Sequence, residues 1–361
     1  MKSQRLIKKI LVTLLFLSLF SSVAHAQEEI DFSDTPPDVH YKAKIIEVTD
    51  KNDYQEVKFQ ILNGEEAGQQ IIIDHGKDFD LLDNQKVKKD DFVTIVKSHG
   101  LKTSYNIVEP YRLNAIFFMI ILFLLIVFTL MKWKGLSSLL GLAVSIFILI
   151  KFVVPLILNG HNPLLTSFIG SLFIAGISIY MAHGFNRRST LSIISTLGTI
   201  IIALILSIWF VSMTKVFGTG SEEAFVLQLG MNTINLKGLL LGGIVIGTLG
   251  ILDDVTTTQT AAIEEIHKAN SNLKFKELYK RGFSVGREHM ISMINTLALA
   301  YIGAAFPMFI LFYTSEHLPL WVIINNEMIV EEIVRTLAGS IALLFAVPIS
   351  TLLAAYIYTK K

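Results

Sequence analysis

The sequence predicts a polytopic α-helical membrane protein with seven transmembrane helices, preceded by a small extracytoplasmic β-barrel of OB-like plan. Three observations carry that prediction. Hydrophobic residues make up 52% of the 361 and charged residues only 17%, a balance that soluble domains of this length seldom reach. From Leu113 onward the apolar residues gather into runs long enough to cross a bilayer. Residues 27–112 are the reverse, polar and acidic, with the alternation of half-buried strands. The composition excludes disordered, collagen-like and nucleic-acid-binding classes, since 31 Lys+Arg against 30 Asp+Glu leaves no basic excess for phosphate. Cysteine is absent, which removes disulfides, cysteine-ligated metals and thiol nucleophiles.

Lys2, Arg5, Lys8 and Lys9 form a charged start, Ile10 to Phe20 an apolar stretch and Ala24-His25-Ala26 a small-residue cleavage site. Residues 1–26 therefore read as a secretory signal, with an uncleaved anchor helix as the alternative. Both readings put residue 27 onward outside the cytoplasm. Residues 27–112 carry 18 Asp/Glu and 11 Lys/Arg, a charge of −7. Val57, Phe59 and Ile61 alternate with polar neighbours, and Gln70–Asp74 and Phe92–Lys97 are further β-rich runs. Turn signals such as Asn63-Gly64 and His75-Gly76 separate them. About five short strands suggest a Greek-key barrel, with a compact sandwich as competitor.

The seven expected spans are Leu113–Met131, Leu136–Leu158, Leu164–Ala182, Leu191–Met213, Leu236–Leu252, Ile291–Tyr313 and Thr336–Tyr358. With the N-terminal domain outside, twelve Lys and Arg fall on the inner side, Arg187, Arg188 and Lys268 among them, and only Lys215, Lys237 and Arg335 on the outer. That bias orients the chain in a plasma membrane with its C-terminus in the cytoplasm.

The sharpest feature is the end of the fifth span, where Asp253-Asp254 is followed by four threonines and Gln259. On a continuing helix, Asp253, Thr257, Thr260 and Glu264 share one face, and Asp254, Thr258, Ala261 and Glu265 the next. Carboxylates at membrane depth are costly unless they face water or a partner, so this pattern points to a solute or ion path. The alternative is that the pair merely ends the span at the headgroups. Gly238, Gly242, Gly243, Gly247 and Gly250 in the same span suit close helix packing, or a break beside a substrate. Arg287 is the expected counter-charge to Asp253 or Asp254, or else a positive-inside anchor. Asn295 and Thr296 offer either inter-helix hydrogen bonds or solute contacts. Glu331 and Arg335, spaced i,i+4, suit local helix stabilisation or an outer vestibule.

No phosphate-binding loop or HExxH motif occurs, and adjacent aspartates on one helix point about 100° apart, the wrong geometry for an aspartyl protease. The expectation is a protein that is not an enzyme, with no catalytic residues, no metal and no cofactor. The blocks Gly247-Thr248-Leu249-Gly250-Ile251-Leu252-Asp253-Asp254-Val255, Ala261-Ala262-Ile263-Glu264-Glu265-Ile266, Gly286-Arg287 and Asn295-Thr296-Leu297-Ala298-Leu299-Ala300-Tyr301-Ile302-Gly303 resemble the YibE/F-like family of bacterial multi-pass membrane proteins. The resemblance covers most of residues 113–358. It implies a bacterial inner or plasma membrane protein with an extracytoplasmic β domain and a helical bundle, and it implies little about activity.

Two functions compete. The first is a permease for a small solute or ion, with Asp253, Asp254, Thr257, Gln259, Glu264, Arg287 and Asn295 along its path. The second is a non-transporting scaffold or sensor whose acidic domain, residues 27–112, binds an envelope partner while residues 113–361 anchor it. The expected partners are the lipid bilayer, a homo- or hetero-oligomeric membrane partner and that envelope partner, without nucleic acid.

Overall fold

A computed structural model describes residues 38–77, 81–99, 103–230, 234–314 and 318–360. The signal segment expected at 1–26 lies outside the described residues. The chain divides into two compact units that part between Thr129 and Leu130.

The N-terminal unit holds five strands: β1 (Val39–Asp50), β2 (Gln55–Ile61), β3 (Gln70–His75), β4 (Phe92–His99) and β5 (Thr103–Pro110). Their order in the sheet is β3-β2-β1-β4-β5, antiparallel throughout. The fourth strand returns to the free edge of the first, which is a Greek key. Strand β2 shows why these residues form a sheet: Gln55, Val57, Phe59 and Ile61 are buried while the residues between them are half-buried. The buried face joins Tyr41, Ala43, Ile45, Val93 and Ile95 in one core. Register shifts at Ile45/Glu47 and at Thr94/Ile95 bend the sheet. The edge strands β3 and β5 approach each other, but no ladder joins them among the described residues. The expected barrel is therefore a half-barrel.

Within this unit Glu66 is half-buried between Lys97 Nζ at 2.6 Å and the Tyr105 hydroxyl at 3.0 Å. The lysine's hydrogen bond holds the Glu66 carboxyl below the usual carboxylate range, and the same bond raises Lys97.

The helices are α1 (Leu113–Leu158), α2 (Pro163–His183), α3 (Arg187–Thr214), α4 (Glu222–Gly230), α5 (Leu236–Ala269), α6 (Phe275–Ala304), α7 (Phe306–Tyr313), α8 (Leu320–Ile324) and α9 (Glu327–Thr359). Five are long and apolar enough to cross a membrane: α1, α2, α3, α5 and α9. A sixth crossing is counted if α6 and α7, bent by 63°, act together. Pro307 stands in the first turn of α7, where its missing N–H and fixed φ favour a new helix after the break.

The count differs from seven because the first two expected spans lie in one 46-residue element, α1. Its only non-helical residue is Lys132, at φ 53° and ψ −141°, where the two spans were expected to separate. Helix α5 runs on well past Leu252 to Ala269, because Thr, Ala, Glu and Ile keep the helical repeat after the apolar run ends.

Asparagines start four of the long helices. Asn162, Asn186, Asn235 and Asn326 accept backbone N–H groups from the first turns of α2, α3, α5 and α9 at 2.9–3.1 Å, satisfying donors that a helix leaves open. Helix α5 packs against α2, α3, α6 and α9, which makes it the centre of the bundle. Val245, Leu249, Leu252 and Val255 form its apolar contacts, with Ile174, Ile200, Leu343 and Val347 from its neighbours.

Candidate functional site

Halfway along α5 the packing changes from apolar to hydroxyl-lined. Asp253, half-buried, turns toward α2 and accepts a hydrogen bond from the Ser178 hydroxyl at 3.1 Å. One turn on, Thr257 Oγ1 donates to the Asp253 backbone carbonyl at 2.6 Å and lies 3.4 Å from carboxylate Oδ1. On the α3 side Thr256 and Thr196 share a hydrogen bond of 2.6 Å, fully buried. Thr260 Oγ1 donates back to the Thr256 carbonyl at 2.7 Å. Among the described residues no cation pairs with Asp253 or Asp254; the nearby ion pairs use other acids. A carboxylate held by hydroxyls alone is incompletely compensated in an apolar bundle.

Asp254 points elsewhere and is exposed, on a face that also carries Gly243, Gly247, Gly250 and Thr258. A Cβ added at Gly243 or Gly250 would meet nothing within 4 Å, and at Gly247 only the Tyr301 hydroxyl at 3.9 Å. These three glycines, expected as packing positions, instead leave an open strip of backbone that ends at Asp254. Gly242 is the close-packed one: a Cβ there would run into Ser167 and come within 3.2 Å of the Pro163 carbonyl. Gly238 is looser, 3.4 Å from Pro163.

The other expected path residues are spread apart. Gln259, 3% exposed, is a structural lock: its Nε2 donates to the Gly282 carbonyl at 2.9 Å and to Thr351 Oγ1 at 2.8 Å, tying α5 to α6 and α9. Gly282 and Gly286 make room for this, since a Cβ at Gly286 would sit 2.6 Å from Gln259 Oε1 and run into Val347. Glu264 pairs with Arg188 of α3 at 3.7 Å and with Lys268 at 3.2 Å. Arg287 does not reach either aspartate; it faces outward and sits 3.6 Å from Glu288. Asn295 is exposed on the same helix.

At the start of α9, Glu331 does not pair with Arg335, which lies 3.5 Å from Glu332. Instead Glu331, 6% exposed, accepts the Gly220 N–H at 2.9 Å, and Glu327 accepts the N–H groups of Phe217, Gly218 and Thr219 at 2.8–3.2 Å. Both carboxylates thus serve local structure rather than a vestibule. An open apolar groove of about 310 Å³ lies at the α6–α7 bend, lined by Tyr301, Ile302, Met308, Glu332 and Leu337 and not by Asp253.

Sequence reasoning missed Ser178, Ser192 and Thr196. The signal was present, because Ser171 and Ser178 on α2 and Ser189, Ser192, Thr196 and Thr199 on α3 recur at three-, four- or seven-residue intervals, one face of each helix. A family model described as YibE/F-like protein matches residues 119–360. The chain belongs to the YibE/F-like family. The YibE/F-like match spans every candidate site residue and the whole of α2 through α9, and it begins after the sheet. No curated protein and no solved structure matches the chain. Together with the apolar helices, YibE/F-like membership makes this a membrane protein.

Proposed function

We propose that this protein is a permease of the bacterial plasma membrane that moves a small solute or ion, with Asp253 as its cation-binding group. One observation carries the reading: a carboxylate in the middle of the central helix, held by Ser178 and Thr257 and without a cationic partner among the described residues. In an apolar bundle such a group is completed by a cation, either a proton or a small metal ion, and exchange of that cation is a natural coupling step. The glycine strip from Gly243 to Asp254 is the proposed solute path, since backbone without side chains leaves room beside a helix.

The topology that fits is seven crossings. The 19 residues of α1 before Lys132 and the 26 after it rise about 28 Å and about 39 Å at 1.5 Å per residue, each enough for one crossing of a hydrocarbon core of about 30 Å. Two crossings therefore fit this element, with Lys132 between them. The distribution of Lys and Arg then puts the sheet outside and the C-terminus inside. The reading assigns no enzymatic role. The compact N-terminal unit, with its own core, favours an additional docking role for an envelope partner.

The test is flux in reconstituted vesicles, following proton entry with a trapped pH dye and sodium with a tracer. D253N is expected to abolish cation-linked flux, while D254N, on the open strip, retains it in reduced form. Wild-type flux in D253N overturns the assignment.

A further inference from the structure

The first turns of α6 are strongly basic. Lys274 precedes the helix and Lys276, Lys280 and Arg281 follow, all of them exposed. Among the described residues no carboxylate pairs with any of the four, whereas Lys268 pairs with Glu264 at 3.2 Å and with Glu265 at 2.8 Å. Glu277, the one acid between residues 274 and 281, accepts the Lys274 backbone N–H at 3.1 Å and so serves the helix start. Cations in a first turn oppose the helix dipole, so Lys274 and Lys276 do nothing for the stability of α6 itself. At about 100° per residue, Lys276, Lys280 and the exposed Arg287 fall within about 40° of one another. Farther along the same outer side the helix exposes Val285, Ile291 and Ile302, large apolar side chains that suit lipid.

We infer that this end of α6 is a binding surface for anionic phospholipid, with Lys274, Lys276, Lys280 and Arg281 on the headgroup phosphates and Val285 and Ile291 on the acyl chains. Packing fixes the level of the cations along the bundle. Gln259 bonds both the Gly282 carbonyl and Thr351 of α9, so Gly282 stands level with Thr351. Leu278 joins Ala354 and Ala355 in one core. Lys276 and Lys280 therefore stand past the exposed Leu352 and level with the exposed Tyr356, a residue type that marks the membrane–water interface. From Lys276 to Arg281 the helix rises about 7.5 Å, matching a headgroup layer of about 5–8 Å. Unanswered cations at that level attract anionic lipid. Cations and apolar side chains follow one another on one side of one helix, as headgroup and tail do in one molecule. The inference stands apart from the transport reading.

The test places the full chain in phosphatidylcholine vesicles with a trace of spin-labelled lipid and reads the motionally restricted fraction. Labelled phosphatidylglycerol is expected to be held several-fold more strongly than labelled phosphatidylcholine, and about 1 M NaCl, which screens charges within about 3 Å, brings the two toward parity. K276Q/K280Q/R281Q loses the preference. K280Q alone lowers it, while K268Q leaves it in place, because carboxylates already answer Lys268. K276R/K280R, which keeps the charge, keeps the preference and separates the loss from misfolding. Equal binding of the two lipids by the wild type overturns the surface, as does a preference unchanged in K276Q/K280Q/R281Q or lowered as much by K268Q as by K280Q. Loss of the wild-type preference to millimolar inorganic phosphate at constant ionic strength overturns it too, since the ligand would then be a soluble anion.

Discussion

Two stretches of α5 lie less than two turns apart and treat their polar groups in opposite ways. At Gln259 both amide protons are used, Gly282 and Gly286 bring α6 against the amide, and the site is sealed by Val347 and Thr351. At Asp253 the acid has hydroxyl partners and no cation, and an open glycine strip runs past the next residue. Glu66, in the turn between β2 and β3, shows a carboxylate that is fully answered, by a lysine and a tyrosine. The comparison teaches that neighbouring polar groups on one helix can be treated differently: Gln259 is completed by its neighbours and holds structure, while Asp253 is left without a counter-charge among the described residues.

The largest effect on stability is expected where the seal is broken. G286V drives a side chain into Val347 and Gln259 and costs about 1–3 kcal/mol through overpacking, or more if the Gln259 hydrogen bonds are lost with it. A thermal melt of the purified protein in detergent reads this as a marked fall in Tm. Q259L comes next, leaving the Gly282 carbonyl and the Thr351 hydroxyl without their donor at about 1–3 kcal/mol, by the same measurement.

E66Q sharpens the comparison through pH. Because the folded Glu66 carboxyl sits below its ordinary value, the ion pair's contribution is present above the usual carboxylate range and is lost as pH falls through the depressed value. The raised Lys97 gives the mirror case, present below the usual lysine range and lost as pH rises through the raised value. Acid titration of the sheet's fluorescence or circular dichroism is expected to show this dependence in the wild type and not in E66Q.

The apolar runs, the five-strand estimate and the place of Asp253 on a helix were legible in the sequence because each depends on local pattern. Val57, Phe59 and Ile61 announce a strand whatever surrounds them. The roles of Gln259 and Glu331 were not legible, because each is decided by a backbone group far along the chain, at Gly282 and at Gly220. Span counting put the end of the fifth crossing at Leu252 and left open how far the helix continues, since hydropathy measures lipid and not helix. The outward turn of Arg287 was hidden for a related reason: position in the sequence gives a face, and packing decides which face is inside.

T256V tests the hydroxyl seam at a smaller scale. Losing the Thr196 hydrogen bond is expected to cost about 0.6 kcal/mol, a slight shift in the same melt. The smallest effect on stability is expected from D253N, which removes an uncompensated acid and keeps its size; its Tm should match or exceed the wild type. A large fall in Tm would show that Asp253 holds structure as Gln259 does, and the contrast within α5 would collapse.

The clasp at the start of α9 has one further consequence. Four successive backbone N–H groups, from Phe217 to Gly220, close on two carboxylates a single turn apart, and Lys215, Val216 and this loop follow directly from the end of α3. A tilt of α9 is therefore expected to pull on the loop that leaves the tip of α3. The two helices that flank the central one on that side are thus tied together at one end like the blades of a single oar.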